Sequence, residues 1–215
     1  VIKSNLITYK KNEDLVYSDD ETFFYIGEKY KIKSKNVSYD RNLKKIFGSN
    51  ETIITDNVSN KYVLKENFVF DLINQTIRAR SAIILDSKDN KYIFEDLIIK
   101  LNSNQIAGKE IKIEFNDSFF GNINNNPELK GRSSYSDDQE LRVYKAVFST
   151  CNIENKKCRG WELSTDEFNH DKEKKIFEYK NSWLKIFNLK TFYLPYFNHP
   201  DPTVKRKSGF LTPSY

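Results

Sequence analysis

Few side chains in this sequence could do chemistry, and their spacing limits which chemistry is open. Cys151 and Cys158 are the only cysteines, and His170 and His199 the only histidines. The cysteines form a C-x6-C pair, which lacks the C-x-x-C spacing of a redox site. A structural metal site normally takes four ligands at tighter spacing. Neither histidine stands at such a spacing, so no metal is expected and each histidine reads as a surface or packing residue. Acidic residues fall mostly in turns and no nucleophile motif appears, so no catalytic residue and no cofactor is assigned. "HPDPT" sets Asp201 between two prolines, which reads as a rigid turn, because Pro fixes φ and removes a donor. Lys205, Arg206 and Lys207 form the one sharp basic cluster. It reads either as a solvated charge run or as a contact for phosphates at a membrane surface. Pro213 interrupts the last strand-like run, where it cannot donate to a ladder.

The elements that must position these residues are β-strands. A length of 215 residues suffices for one large β domain or two small ones. Hydrophobic residues make up 38% and charged residues 30%, which is polar for a globular chain, yet 14% aromatic is too rich for a disordered one. The core should therefore be thin and aromatic-heavy. The net charge of +5 is spread widely. A nucleic-acid binder concentrates basic residues on one element, so no nucleic-acid partner is expected. A diffuse positive charge means solubility with some preference for anionic partners. The sequence contains no Met and opens in strand-like residues, so it is expected to be a piece cut at both ends. The absence of a targeting segment then says nothing about compartment. No run of about 18 apolar residues exists, so no transmembrane helix is expected.

"KY" recurs at Lys29-Tyr30, Lys61-Tyr62 and Lys91-Tyr92, at intervals of 32 and 30 residues. Similar sequence follows each time: a strand, a polar turn ("DRNLK", "LINQ", "LNSNQ"), a second strand and a polar loop ("DNVSN", "DSKDN", "NDSFFGN"). Asn and Asp suit such turns because their side chains hydrogen-bond nearby backbone and tolerate left-handed φ. The strand halves alternate: Tyr30 and Ile32 point one way, Lys31 and Lys33 the other, and Ile111, Ile113 and Phe115 repeat the pattern. Units of this length suggest stacked β hairpins, since one hairpin cannot bury its own face. The apolar face comprises Tyr30, Ile32, Val37, Tyr39, Phe68, Phe70, Ile111, Ile113 and Phe115. The polar stretch 122–138 reads as a long loop or bulge before strands resume at "LRVYKAVFSTC".

The repeat resembles the OstA-type unit of lipopolysaccharide-transport proteins, carried here by "IKSKNVSYDRNLKKIFGSNETII". The ordered blocks "VFSTC", "WEL", "HDKEKKIFEYKNSWLKIFN", "FYLPYFNHPDP" and "KRKSGFLTPS" resemble the LptD family of outer-membrane lipopolysaccharide-assembly proteins. The resemblance covers essentially the whole chain. It implies an all-β, OstA/LptA-type β-jellyroll, an open V of stacked antiparallel strands, over residues 1–203. Residues 204–215 would be a linker and the beginning of a truncated C-terminal outer-membrane β-barrel. It further implies that the apolar face is a groove for the acyl chains of lipid A, in a protein on the periplasmic side of the outer membrane. The implied partners are lipopolysaccharide, an LptA-type periplasmic bridge and an LptE-type lipoprotein held by the barrel. Lys205, Arg206 and Lys207 would meet phosphates of the membrane or of passing lipid, and Pro213 would weaken a barrel seam that acts as a lateral gate. Cys151 and Cys158 would bond to each other as a periplasmic disulfide, bridge to barrel cysteines, or stay free. A soluble LptA-like bridge protein of the same repeat and a β-solenoid enzyme acting on polysaccharide are the alternative readings.

Overall fold

Alternation of apolar and polar residues produces strands wherever one face can be buried, and here it does so almost throughout. The computed structural model describes residues 2–116, 127–150 and 160–204. Ten short strands come first: β1 (Ile2–Ser4), β2 (Thr8–Lys10), β3 (Leu15–Ser18), β4 (Thr22–Ile26), β5 (Tyr30–Ser34), β6 (Val37–Asp40), β7 (Lys45–Gly48), β8 (Thr52–Asp56), β9 (Lys61–Leu64) and β10 (Phe68–Asp71). Long strands follow: β11 (Thr76–Leu85), β12 (Lys91–Lys100), β13 (Gln105–Glu114), β14 (Glu128–Ser136), β15 (Glu140–Ser149), β16 (Trp161–Asp171), β17 (Ile176–Ile186) and β18 (Leu189–Pro200). All pair antiparallel within one open sheet, and no described residue is helical. The architecture is all-β and consistent with an open jellyroll.

The pairing shows how one sheet makes two layers. β1, β4, β5, β8 and β9 pair in that order and end on the second half of β11. β2, β3, β6, β7 and β10 pair in a second series that ends on the first half of β11. Successive hairpins thus alternate between layers. From β11 onward each strand crosses from one layer to the other without a loop, so every long strand is folded across a crease.

Crossing the crease creates a geometric problem. A strand's side chains alternate with period two, and a fold that keeps the same parity would turn one half inside out. Strands β11 to β17 solve it by stepping three residues once between inward positions. In β11 the inward residues are Ile77 and Ala79, then Ala82 and Ile84; in β15 they are Leu141 and Val143, then Ala146 and Phe148. β17 passes from Tyr179 to Ser182, β12 from Phe94 to Leu97, and β16 from Thr165 to Phe168. In alternate strands the extra residue takes left-handed φ: Ser81 at 49°, Glu110 at 46°, Lys145 at 52° and Asn181 at 52°. These are kinks rather than β-bulges: they bend the strand and re-aim its side chains, while the register with the neighbouring strands is the same on either side of the break.

Small residues line the crease because the layers converge there. Ser34 Oγ and Thr52 Oγ1 are 2.6 Å apart and buried. Thr165 Oγ1 donates to the Lys180 carbonyl at 2.7 Å. A Cβ on Gly48 would stand 2.1 Å from Phe68 Cε1, and one on Gly131 would stand 2.2 Å from Val143 Cγ1. This explains the one element that the sequence conceals. The stretch 122–138, expected to be a loop, contains β14, paired with β13 on one side and β15 on the other. Its inward positions are Leu129, the crease residue Gly131 and Ser134, so the narrow crease demands side chains that mimic a loop's composition.

Gly108 tests the crease. A Cβ there would stand 2.2 Å from Phe94 Cδ1 and 3.2 Å from the Asp96 carbonyl oxygen. Gly108→Ala should lower stability by about 1–3 kcal/mol, the usual cost of overpacking, read as a shift in urea midpoint. Adding Phe94→Leu should recover part of the loss. An unchanged midpoint in the single variant would show that the crease is not tightly packed.

Candidate functional site

The space between the layers is the candidate site. Of the apolar face expected from the sequence, Tyr30, Ile32, Val37, Phe68, Phe70, Ile111, Ile113 and Phe115 are buried in one continuous cluster, and Tyr39 is half-buried against it. Ile32 and Phe70 are each 1% exposed and Ile113 is 0%, so there the layers are packed shut. Open space lies further along the sheet, as a cavity of about 300 Å³, at the lower end of the range for small-molecule pockets. One layer contributes Tyr62, Ile84, Tyr92, Phe94 and Phe115 to its wall. The other contributes Ile106, Leu141, Phe168 and Phe177.

Most of this wall escapes a sequence reading. Phe115 is the residue that the expected groove and the cavity share. Tyr62 and Tyr92 were visible as the "KY" repeat, but not their purpose. Asp56 accepts the backbone N–H of Val58 at 3.0 Å and of Asn60 at 2.8 Å, and Tyr62 Oη donates to its other oxygen at 3.1 Å. Asp86, Lys88, Asn90 and Tyr92 repeat the same set at 2.8, 2.9 and 3.1 Å. Burial, and then the neighbouring aspartate, pushes both tyrosines well above their ordinary value, so they stay neutral donors. Each loop also holds the next: Asn60 Oδ1 accepts the Ser87 N–H at 3.1 Å, and Asn90 Oδ1 accepts the Asn116 N–H at 3.0 Å.

The cavity's mouth carries charge. Loop 86–90 of one layer faces turns 172–175 and 201–203 of the other, and Asp86, Lys88, Lys172, Lys175 and Asp201 line it. Lys172 Nζ donates to Ser136 Oγ at 2.9 Å and to the Asp137 carbonyl. Burial lowers its pKa, and Asp137, Asp138 and Asp86 work in the opposite direction. His170 and His199 both stand in an aromatic cluster: His170 packs edge-on to Phe177 at 4.6 Å, and His199 Nε2 lies 3.1 Å from Tyr179 Oη.

Asp201 is more than the rigid turn expected of it. It is 3% exposed, and its Oδ2 lies 2.8 Å from His170 Nε2. The contact is an ion pair only when the imidazole is protonated. Asp201 also accepts the Thr203 N–H at 2.7 Å, while its own N–H donates to the Lys175 carbonyl at 2.8 Å. Burial opposes the charge, but His170 and the Thr203 N–H outweigh it and hold Asp201 at about 2.

Among the described residues no group of three His, Cys, Asp or Glu side chains could hold a metal ion. No described helix is long and apolar enough to cross a membrane, which says nothing of a β-barrel. Cys151, Cys158, Lys205, Arg206, Lys207 and Pro213 lie outside the described residues.

The Asp201 pair has a pH signature. The folded value of about 2 lies below the ordinary 3.8, so the charge stabilises above that ordinary value and the benefit is lost as pH falls towards 2. Asp201→Asn should therefore cost about 2 kcal/mol at neutral pH. The gap from the parent should close between about pH 4 and pH 2 in a series of denaturant midpoints. A gap that stays constant with pH would mean that packing, not charge, holds the turn.

No family model matches the chain. Curated relatives do match in part. The LPS-assembly protein LptD of Pseudoalteromonas translucida is 37% identical over 79 residues, which is 37% of this chain and 10% of that protein. LptD of Psychrobacter arcticus is 31% identical over 83 residues, 39% of this chain and 9% of that protein. LptD of Shewanella frigidimarina is 35% identical over 78 residues, 36% and 10% respectively. The chain spans about a tenth of the length of these curated relatives, and a stretch of it is related to LPS-assembly proteins.

Proposed function

We propose that this chain carries lipopolysaccharide by its acyl chains between the two layers, as the β-roll part of an outer-membrane assembly system. The observation that supports it is continuity. Inward apolar side chains from Phe24 in β4 to Leu194 in β18 form one cluster, and the cavity opens within it. Burying a methylene is worth about 0.8 kcal/mol, so a fully closed tunnel would trap a lipid. A two-layered roll with one open side lets sugars stay in water while the chains are partly covered. Lys88, Lys172 and Lys175 at the mouth supply positive charge for phosphates. The relatives' name, LPS-assembly protein LptD, favours this reading over a soluble bridge protein of the same repeat and over a polysaccharide enzyme.

On this reading the chain acts on the periplasmic side of the outer membrane and catalyses nothing. An LptA-type bridge delivers the lipid, and a barrel with its LptE-type lipoprotein receives it. The residues of the apolar face are the groove, with the cavity-lining aromatics Tyr92, Phe94, Phe168 and Phe177 added to it.

The test is a photoreactive residue at defined positions. p-Benzoylphenylalanine in place of Phe94 or Phe168 should form adducts with lipopolysaccharide in cells. In place of Tyr144, which is 38% exposed on the outer face, it should form few. Equal labelling inside and outside, with correctly folded protein, would reject transport through the interior.

A further inference from the structure

Three turns meet across the open side of the roll. Lys29 and Tyr30 belong to the β4–β5 turn and the start of β5, in one layer; Asn104 belongs to the β12–β13 turn and Asp138 to the β14–β15 turn, in the other. Lys29 Nζ donates to Asn104 Oδ1, and Tyr30 Oη approaches the same oxygen at 3.4 Å. Asn104 Nδ2 donates to the Asp138 carboxylate, at 2.9 Å to one oxygen and 3.1 Å to the other. The carboxylate fixes the amide's orientation, since only the NH2 end can donate to it, and so aims the amide oxygen at the ammonium. Lys29 Nζ also lies 5.3 Å from the Tyr30 ring centroid.

The contact covers the part of the interior that is packed shut. Beneath it Tyr30, Ile32, Ile54, Leu97 and Ile99 are each no more than 7% exposed. A chain entering there, or passing from there to the cavity, has to part the layers, and the turns must separate first. We propose that Lys29, Asn104 and Asp138 form a clasp across the open side of the roll, released when the phosphate of an anionic amphiphile takes Lys29 from Asn104. This rests on the transport reading above.

The chemistry favours exchange over permanent closure. A neutral amide oxygen is a weaker acceptor for an ammonium than a phosphate oxygen, because the phosphate adds the attraction of a full negative charge to the hydrogen bond. Asp138 stands beside the same spot, so a phosphate held at Lys29 is repelled by its neighbour and can leave again. Asn104 itself has φ of 52°, a left-handed conformation that glycine adopts without strain. Asn104→Gly therefore removes the amide while sparing the turn.

The experiment reads the distance between the two rims. Nitroxides carried on p-acetylphenylalanine in place of the exposed Glu28 and Ser103 spare the cysteines and report on the turns by pulsed electron resonance. The unliganded chain should give one short distance. Dodecyl phosphate should add a longer one, and dodecyl maltoside should not. Asn104→Gly should show the longer distance without ligand, its open-to-closed ratio raised about tenfold, the worth of one hydrogen bond to a charged group. Lys29→Gln, which keeps an amide donor to Asn104 but no cation, should stay closed with dodecyl phosphate. Unchanged distances in Asn104→Gly, with thermal midpoint near the parent's, overturn the clasp. Equal opening by the maltoside overturns the phosphate exchange. Opening by inorganic phosphate at the same concentration overturns the amphiphile assignment in favour of a free anion. If the clasp fails while Phe94 and Phe168 positions still crosslink lipopolysaccharide, only the gate is lost; if crosslinking fails, the transport reading goes with it.

Discussion

A folded strand cannot keep its apolar side chains on the inside of the fold unless its alternation is broken once. Strands β11 to β17 meet that constraint at the same level, and the rest of the structure follows from where the break lies. It sets the crease, and the crease decides which halves form each layer. The short strands β1 to β10 reach the same result by crossing in loops, so that the alternation restarts on the far side. Ser81, Glu110, Lys145 and Asn181 carry the break in left-handed φ; Phe94 to Leu97 and Thr165 to Phe168 make the same three-residue step without it.

The interior is wedge-shaped in consequence. Glycines, alanines and small hydroxyl residues occupy the crease, where a single added methyl group would collide with Phe94 or Val143. Rings occupy the wider part: Phe168 packs edge-on to Phe177 at 5.2 Å and to Tyr179 at 5.3 Å. Flat rings meeting at steep angles fill a wedge imperfectly, and the cavity lies where they dominate. Polarity rises in the same direction, from dry packing at the crease to the lysines and aspartates of the mouth. An amphiphile's own gradient from tail to head runs the same way.

Sequence alone discloses the part of this that has period two. Tyr30, Ile32, Phe68, Phe70, Ile111 and Ile113 declare their burial by alternation, and the hairpin turns declare themselves by Asn and Asp. The breaks in parity do not, because Glu110 and Lys145 carry no residue-type signal for left-handed φ. β14 was hidden by its own crease chemistry, since Gly131 and the serines around it are what a loop would also contain. The pairing of His170 with Asp201 is invisible for another reason: only the sheet, with β17 between them, brings β16 near the turn that follows β18. The clasp is hidden likewise, as Lys29 and Asn104 belong to different repeats and meet only because the layers cross.

The stacked loops bear on how such a chain could change length over evolutionary time. Asn60 holds the next loop as Asn90 holds the one after, so a duplicated rung brings its own attachment and finds a matching one. Whole-repeat gain or loss is therefore a conservative event. A single codon gained or lost within a long strand is not, because it exchanges inside for outside from that point to the next turn. Relatives of this roll should differ in their number of rungs more readily than in the length of any one strand.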